Sequence, residues 1–212
     1  VYDPNAKTQL VRFSHSEKIR DLELSVDGRR VLAAGKKSFV VVDVESGKTI
    51  SRYSSKSKFK DALILGSDGR VAFLAKPNLS IFETSSGSIL SAVPSKADVV
   101  AGSAAGDRVA TCNQGFTGGS VALYATPNLE TNGEFKVGSC TSSFGFVPSG
   151  DFVRLDEKSF MNVDNGTVTN FDDVVGGEAE ITEDLSQAYA FMDERVALYE
   201  VEGLTARGPQ SD

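Results

Sequence analysis

Side chains able to carry out chemistry are few in this chain and far apart. The one histidine is His15, and the two cysteines are Cys112 and Cys140. A Ser-His-Asp triad or a multi-histidine metal centre would have to be built on His15 alone, so this residue reads as a structural histidine that orients a loop. The cysteines lack C-x-x-C spacing and a zinc ion would need two further ligands, so neither a metal, a cofactor nor a catalytic residue is expected. Two cysteines in 212 residues read as buried thiols of a reducing compartment, with a single disulfide as the other reading.

Carboxylates crowd Asp172-Asp173, Glu178-Ala179-Glu180 and Glu183-Asp184. They lack the alternating Asp/Asn and Gly of a calcium loop and read as a solvated acidic rim. Gly115-Phe116-Thr117-Gly118-Gly119 lacks the Gly-Lys-Ser/Thr ending of a phosphate loop and reads as a long, mobile loop. Charge is the clearest functional signal. Residues 1–60 hold 13 Lys/Arg against 7 Asp/Glu, whereas residues 145–212 hold 4 against 15, so the net charge of −7 hides a dipole. Within the basic part, Arg52, Tyr53, Lys56, Lys58, Phe59 and Lys60 put cations and aromatics on one connection, a pattern suited to gripping RNA or an acidic peptide. A flexible, solvated loop is the plainer reading of the same residues.

The elements that must position these groups follow from a repeat of about 40 residues. Turns fall at Asp27-Gly28, Asp68-Gly69, Gly106-Asp107, Ser149-Gly150 and Leu185-Ser186, each followed by an apolar strand: RVLAAG, RVAFLA, RVATCN, FVRLDE and QAYAFMD. A second series of turns at Gly47, Gly87, Gly133, Gly166 and Gly203 stays in phase with the first. Each repeat therefore predicts four short antiparallel strands; in the first these are Leu22–Val26, Arg30–Ala34, Phe39–Val44 and Thr49–Arg52. Such repeats are the blades of a β-propeller, an all-β fold. The head of the chain adds a half copy, with Asn5-Ala6 in the place of Ser46-Gly47.

The expected organisation is one domain over 1–212, with a half blade at 1–13 and blades at 14–58, 59–97, 98–139, 140–177 and 178–207. About five and a half blades and 22 strands are expected, two short of six closed blades. Thr205–Asp212, with Gly208-Pro209, is too short and broken to supply them. Either the chain is a piece of a six- or seven-bladed ring, or the ring is open and a partner supplies the missing hairpin.

His15, Ile19-Arg20-Asp21-Leu22, Ser25 to Gly35 and Val41-Val42-Asp43-Val44-Glu45-Ser46-Gly47-Lys48 together resemble a WD-repeat. In that family a His joins a Ser or Thr, a middle-turn Asp and a Trp in one network. Here His15 and Asp43 match, Val42 stands at the Trp position, Lys36-Lys37 replaces the middle-turn Asp, and the chain has no Trp. Later copies match less: Glu83 and Ala125 stand where Asp43 does, and none has the His. The resemblance implies a divergent WD-repeat-like propeller with His15 and Asp43 structural; bacterial seven-bladed surface or periplasmic propellers share the strand–Asp-x-x-x-Gly–strand pattern.

Three functions are compatible with these residues. The first is a non-catalytic protein-interaction scaffold, a propeller subunit of a multiprotein assembly. The second is an RNA-associated propeller in a ribonucleoprotein complex using 52–60. The third is a small-ligand or enzymatic propeller with its site in the central channel, for which Asp21 and Asp61 are the carboxylates that recur at equivalent places among Ile19–Leu24, Asp61–Leu65, Val99–Gly102 and Ser142–Phe146. The absence of any run of 18 apolar residues predicts no membrane span, and an intracellular location, cytoplasmic or nuclear, is expected, with a secreted or periplasmic one left open. The sequons Asn78-Leu79-Ser80 and Asn165-Gly166-Thr167 matter only in the secreted case.

Overall fold

Continuous apolar runs in the middle of each repeat mark strands covered on both faces, and the alternating runs that follow mark strands with one wet face. The computed structural model has this arrangement. It describes residues 2–3, 8–9, 15–67, 69–116, 118–141, 143–175, 179–182, 185–192, 195–202 and 205–207. Asn5-Ala6, Asp68, Thr117, Ser142, Glu178, Glu183, Asp184, Gly203 and Gly208-Pro209, all invoked above, lie outside the described residues.

Tyr2–Asp3 (β1) and Thr8–Gln9 (β2) pair as a two-stranded sheet. Five four-stranded antiparallel sheets follow, each with its strands side by side in chain order. Blade 1 is Asp21–Leu24 (β3), Arg30–Ala34 (β4), Ser38–Asp43 (β5) and Thr49–Ser54 (β6). Blade 2 is Phe59–Leu65 (β7), Arg70–Ala75 (β8), Asn78–Glu83 (β9) and Ser88–Pro94 (β10). Blade 3 is Val99–Gly102 (β11), Arg108–Gly115 (β12), Gly118–Ala125 (β13) and Glu130–Val137 (β14). Blade 4 is Gly145–Phe146 (β15), Phe152–Arg154 (β16), Ser159–Asn162 (β17) and Val168–Asn170 (β18). A short helix, Phe171–Val175 (α1), leads to blade 5: Ala179–Ile181 (β19), Gln187–Met192 (β20), Arg195–Glu202 (β21) and Thr205–Arg207 (β22). The chain is thus an all-β propeller of four-stranded antiparallel blades.

The core lies between blades. Phe39 from blade 1 meets Phe59, Phe73 and Phe82 from blade 2, with Tyr53 against them; the Phe39 and Phe82 rings stand 5.2 Å apart, edge to face. Truncating such a ring to Ala typically costs about 3–5 kcal/mol. Between blades 2 and 3 the core is aliphatic, with Leu63, Leu65, Leu79, Ile81 and Val109; between blades 3 and 4, Val121, Leu123, Val153 and Met161 fill it. First strands meet across blades. Glu23 of β3 accepts the Ile64 N–H of β7 at 3.0 Å, and Asp61 of β7 accepts the Val100 N–H of β11 at 2.8 Å.

Three of the five first-hairpin turns carry a hydroxyl lock. Ser25 accepts the Arg30 N–H at 3.0 Å, Ser103 the Arg108 N–H at 3.1 Å, and Thr182 the Gln187 N–H at 3.1 Å. In the second series, the amides of Gly47, Gly87 and Gly166 donate to Asp43, Glu83 and Asn162 carbonyls, each at 2.9 Å. Gly166 (φ 71) also lies so close to the Phe135 ring that a Cβ would collide with it.

Two sequence expectations are corrected. The second turn of blade 3 is not at Gly133, which lies within β14 opposite Leu123; Thr126 to Leu129 makes it, with Leu129 in the left-handed region at φ 58. The turn keeps the length it has in blades 1 and 2, with Leu129 at the place of Gly47 and Gly87, and the bulge between Leu123 and Tyr124 repeats those between Val41 and Val42 and between Ile89 and Ser91. Residues 115–119 are not a long loop: Gly115 pairs with Gly118 at the end of the β12–β13 ladder. Glycines on both sides allow that close approach, since a Cβ on Gly115 would stand 2.7 Å from the Gly118 carbonyl.

Candidate interaction surface

Antiparallel pairing sorts the connections to two ends of the ring. The β4–β5 turn and the β6–β7 connection lie at one end, with their counterparts in later blades; the first-series turns lie at the other. What each end does with its charges differs.

At the first-series end, arginines tie blades together. Arg30 donates to the Ser67 carbonyl, Arg70 to the Gly106 carbonyl at 3.5 Å and Arg108 to the Gly150 carbonyl at 3.4 Å, so in blades 1–3 the Arg opening the second strand reaches the next blade's first turn. The RV pair in RVLAAG, RVAFLA and RVATCN carries this signal: Val enters the core and Arg clamps.

The other end holds the Arg52–Lys60 segment. Along it exposure alternates: Arg52, Lys56, Lys58 and Lys60 face water, while Phe59 is buried and Tyr53 packs beside it on Phe39. The aromatics therefore belong to the core between blades 1 and 2, because Tyr53 on β6 and Phe59 at the start of β7 both face inward on either side of the bend at 56–57; a mixed cation–aromatic platform is not formed. Arg52 stands on the outer strand β6 with its guanidinium on Thr49 at 3.4 Å, apart from the lysines. Backbone bonds join the connection to the β4–β5 turn: Ser55 N–H to the Lys37 carbonyl at 2.7 Å and Phe59 N–H to the Lys36 carbonyl at 2.9 Å. Glu17 caps that turn, accepting the Lys37 N–H at 2.9 Å, a bond that lowers its pKa. Lys18, Ile19, Arg20, Lys36 and Lys37 line an open groove there. Lys60 pairs with Asp98 of blade 3.

His15 and Asp43 occupy separate local roles. The His15 Nδ1 accepts the Glu17 N–H at 3.1 Å, and its Cε1 lies against Gly35, where a Cβ would come within 2.9 Å. Asp43 Oδ1 accepts the Ser46 hydroxyl at 2.6 Å and N–H at 2.7 Å, which lowers its pKa and pins the second turn. Asp21 and Asp61 sit at equivalent positions, opposite Ala34 and Leu74, each accepting the amide of its own successor at 2.9 Å. Sequence reasoning passed over Glu23 between them. Burial pushes its pKa from 4.5 up to about 7, with Asp21 and Asp61 adding to the rise and the Ile64 N–H opposing it. Burial likewise raises Asp61. Among the described residues no group of three or more His, Cys, Asp or Glu could hold a metal ion.

The cysteines are corrected from thiols to a disulfide. Cys112 on β12 is joined to Cys140 in the connection leading to blade 4. The repeat places Cys112 opposite Val99 at the strand end nearest that connection, which passes directly alongside it. Gln114 adds a second brace, its Oε1 accepting the Cys140 N–H at 3.0 Å. Above these two ties the β12–β13 hairpin ends in Phe116, whose 111% relative exposure leaves the ring wholly in water.

On the same end, blade 4 is acidic, although Lys158 pairs with Asp172 at 2.9 Å beneath exposed Asp173. Among the described residues no helix is long and apolar enough to cross a membrane.

No family model matches this sequence, and no curated protein matches it. Solved structures do. One is "KlHsv2 with loop 6CD replaced by a Gly-Ser linker", at 14% identity and a TM-score of 0.62, over 99% of this chain and 76% of that one. Another is the β-propeller domain of Cps50 (Swd1) from Myceliophteria thermophila, at 16% identity and a TM-score of 0.62, over 100% of this chain and 80% of that one. At such identity the likeness establishes the propeller fold and nothing finer.

Proposed function

We propose that this chain is a non-catalytic protein-interaction scaffold, a WD-repeat-like propeller acting as a subunit of a multiprotein assembly. The observation that carries the reading is Phe116, a bare aromatic ring at the tip of a hairpin braced by Cys112–Cys140 and by Gln114. An aromatic on a rigid support loses little entropy on docking and fills a partner's pocket, the usual profile of an interface anchor. His15 and Asp43, the residues that match the WD-repeat pattern, each serve a separate local turn, so the WD-repeat part of the reading rests on the sequence resemblance. The carboxylates nearest the channel, Glu23 and Asp61, are engaged in bonds between blades, which disfavours a reacting centre there.

The disulfide bears on location. Disulfides persist where thiols are not kept reduced, so the reading favours an oxidising compartment over the cytoplasm or nucleus that composition suggested.

The test is purification of the native protein from its source with nuclease present, beside a Phe116→Ser variant. A protein that co-purifies in equal amount, resists nuclease and is lost with Phe116→Ser is the expected result. A partner released by nuclease would overturn the reading in favour of the RNA-associated one, which the cations of blades 1 and 2 support; a nuclease-resistant partner unaffected by the variant would remove Phe116 as the anchor.

A further inference from the structure

We propose that the lysine-rich end of blades 1 and 2 is the docking surface for an extended, acidic segment of a protein partner. The proposal rests on the scaffold reading and gives it a partner chemistry.

Lys18, Arg20, Lys36 and Lys37 line one groove, and the Ser55 and Phe59 amide bonds to the Lys37 and Lys36 carbonyls bring Lys56 and Lys58 alongside it. All six are exposed, and none takes part in an ion pair among the described residues. Arg30, Arg70 and Arg108 at the opposite end are all engaged in holding blades together. Glu17 also lines the groove, but the cations outnumber it, repel one another and create a positive field whose natural complement is an anion. Among the described residues none of the six side chains makes a hydrogen bond or ion pair, which leaves this surface able to serve a ligand.

Peptide is favoured over nucleic acid by three features. Strand-tracking RNA sites stack bases on aromatic rings, and the rings of this segment, Tyr53 and Phe59, are packed on Phe39 in the core. Carboxylates punctuate the patch: Glu17 caps the β4–β5 turn and Asp98 pairs Lys60, which would repel a continuous phosphate chain while leaving room for spaced side-chain carboxylates. Half-buried Ile19 forms part of the groove, an apolar rest for a side chain between the acidic ones. At the same end Asp173 of α1 is exposed, which disfavours an anion beside blade 4.

The probe is a fluorescein-labelled dodecapeptide of Glu and Ser with a central Leu, titrated beside an oligouridylate of the same length. Two charge-matched variants are compared with the wild type: Lys36, Lys37, Lys56 and Lys58 all →Glu, and Arg29, Lys48, Arg52 and Lys136 all →Glu. The peptide should bind, lose affinity as salt rises, weaken about tenfold or more in the first variant, and hold in the second. Tighter binding of the RNA, or equal peptide binding by the first variant and the wild type, would overturn the proposal. If the peptide fails to bind while the native partner still depends on Phe116, this inference falls and the scaffold reading stands. Loss of both results removes both.

Discussion

Glu23 is the residue whose chemistry the fold alters most. Its native pKa of about 7 lies above the ordinary 4.5, so between those values the folded protein holds a proton that the unfolded chain releases. Stability therefore falls as pH rises from about 4.5 through 7 and is flat beyond; at roughly 1.4 kcal/mol per unit, the cost of ionising it is on the order of 3 kcal/mol. Glu23→Gln keeps an acceptor for the Ile64 N–H and removes the charge. Its urea midpoint should exceed that of the wild type at pH 8 and approach it at pH 4; an unchanged difference between the two pH values would refute the assignment. Little of this was legible beforehand. The alternation Asp-Leu-Glu-Leu in β3 suggests buried leucines, yet Leu22 and Leu24 are 59% and 53% exposed while Glu23 turns toward blade 2. Periodicity gives two faces to a strand; which face meets the next blade is decided by the ring.

At the level of elements, the repeat was readable because Gly, Asp and Ser turns punctuate it and because central strands must be apolar on both sides. RVLAAG and FVVVDV are β4 and most of β5, buried from Val31 to Ala34 and from Ser38 to Val42. The departures cluster in blade 3. There Leu129 holds the turn place expected of Gly133, and a disulfide joined residues 28 apart in sequence that spacing alone could not pair. Closing a loop of that length contributes at most about 3–4 kcal/mol through the unfolded chain. Cys112→Ser with Cys140→Ser should lower the denaturation midpoint and speed amide exchange at residues 113–120 more than elsewhere. Uniform exchange, with the hairpin as protected as in the wild type, would show that Gln114 and the ladder brace it without the covalent tie.

Over the whole molecule, the cations of blades 1–3 divide their labour between the two ends of the blades. A basic half was evident in composition, but sequence grouped Arg52, Tyr53 and Phe59 with the lysines. Extended structure separated them, sending the rings inward and Arg52 to the outer strand. It also gave the repeated arginines a mechanical role that their place beside an apolar Val had concealed. One end holds blades together, and the other, in the function proposed above, is left to bind. The thermal stability of two multiple variants tests this division: Arg30, Arg70 and Arg108 all →Ala, and Lys36, Lys37, Lys56 and Lys58 all →Glu. The arginine variant should lose about 1–3 kcal/mol, the rough sum of three modest side-chain bonds, and the lysine variant should melt with the wild type. A lysine variant destabilised as much as the arginine one would mean that both ends serve the fold, and the claim would fail.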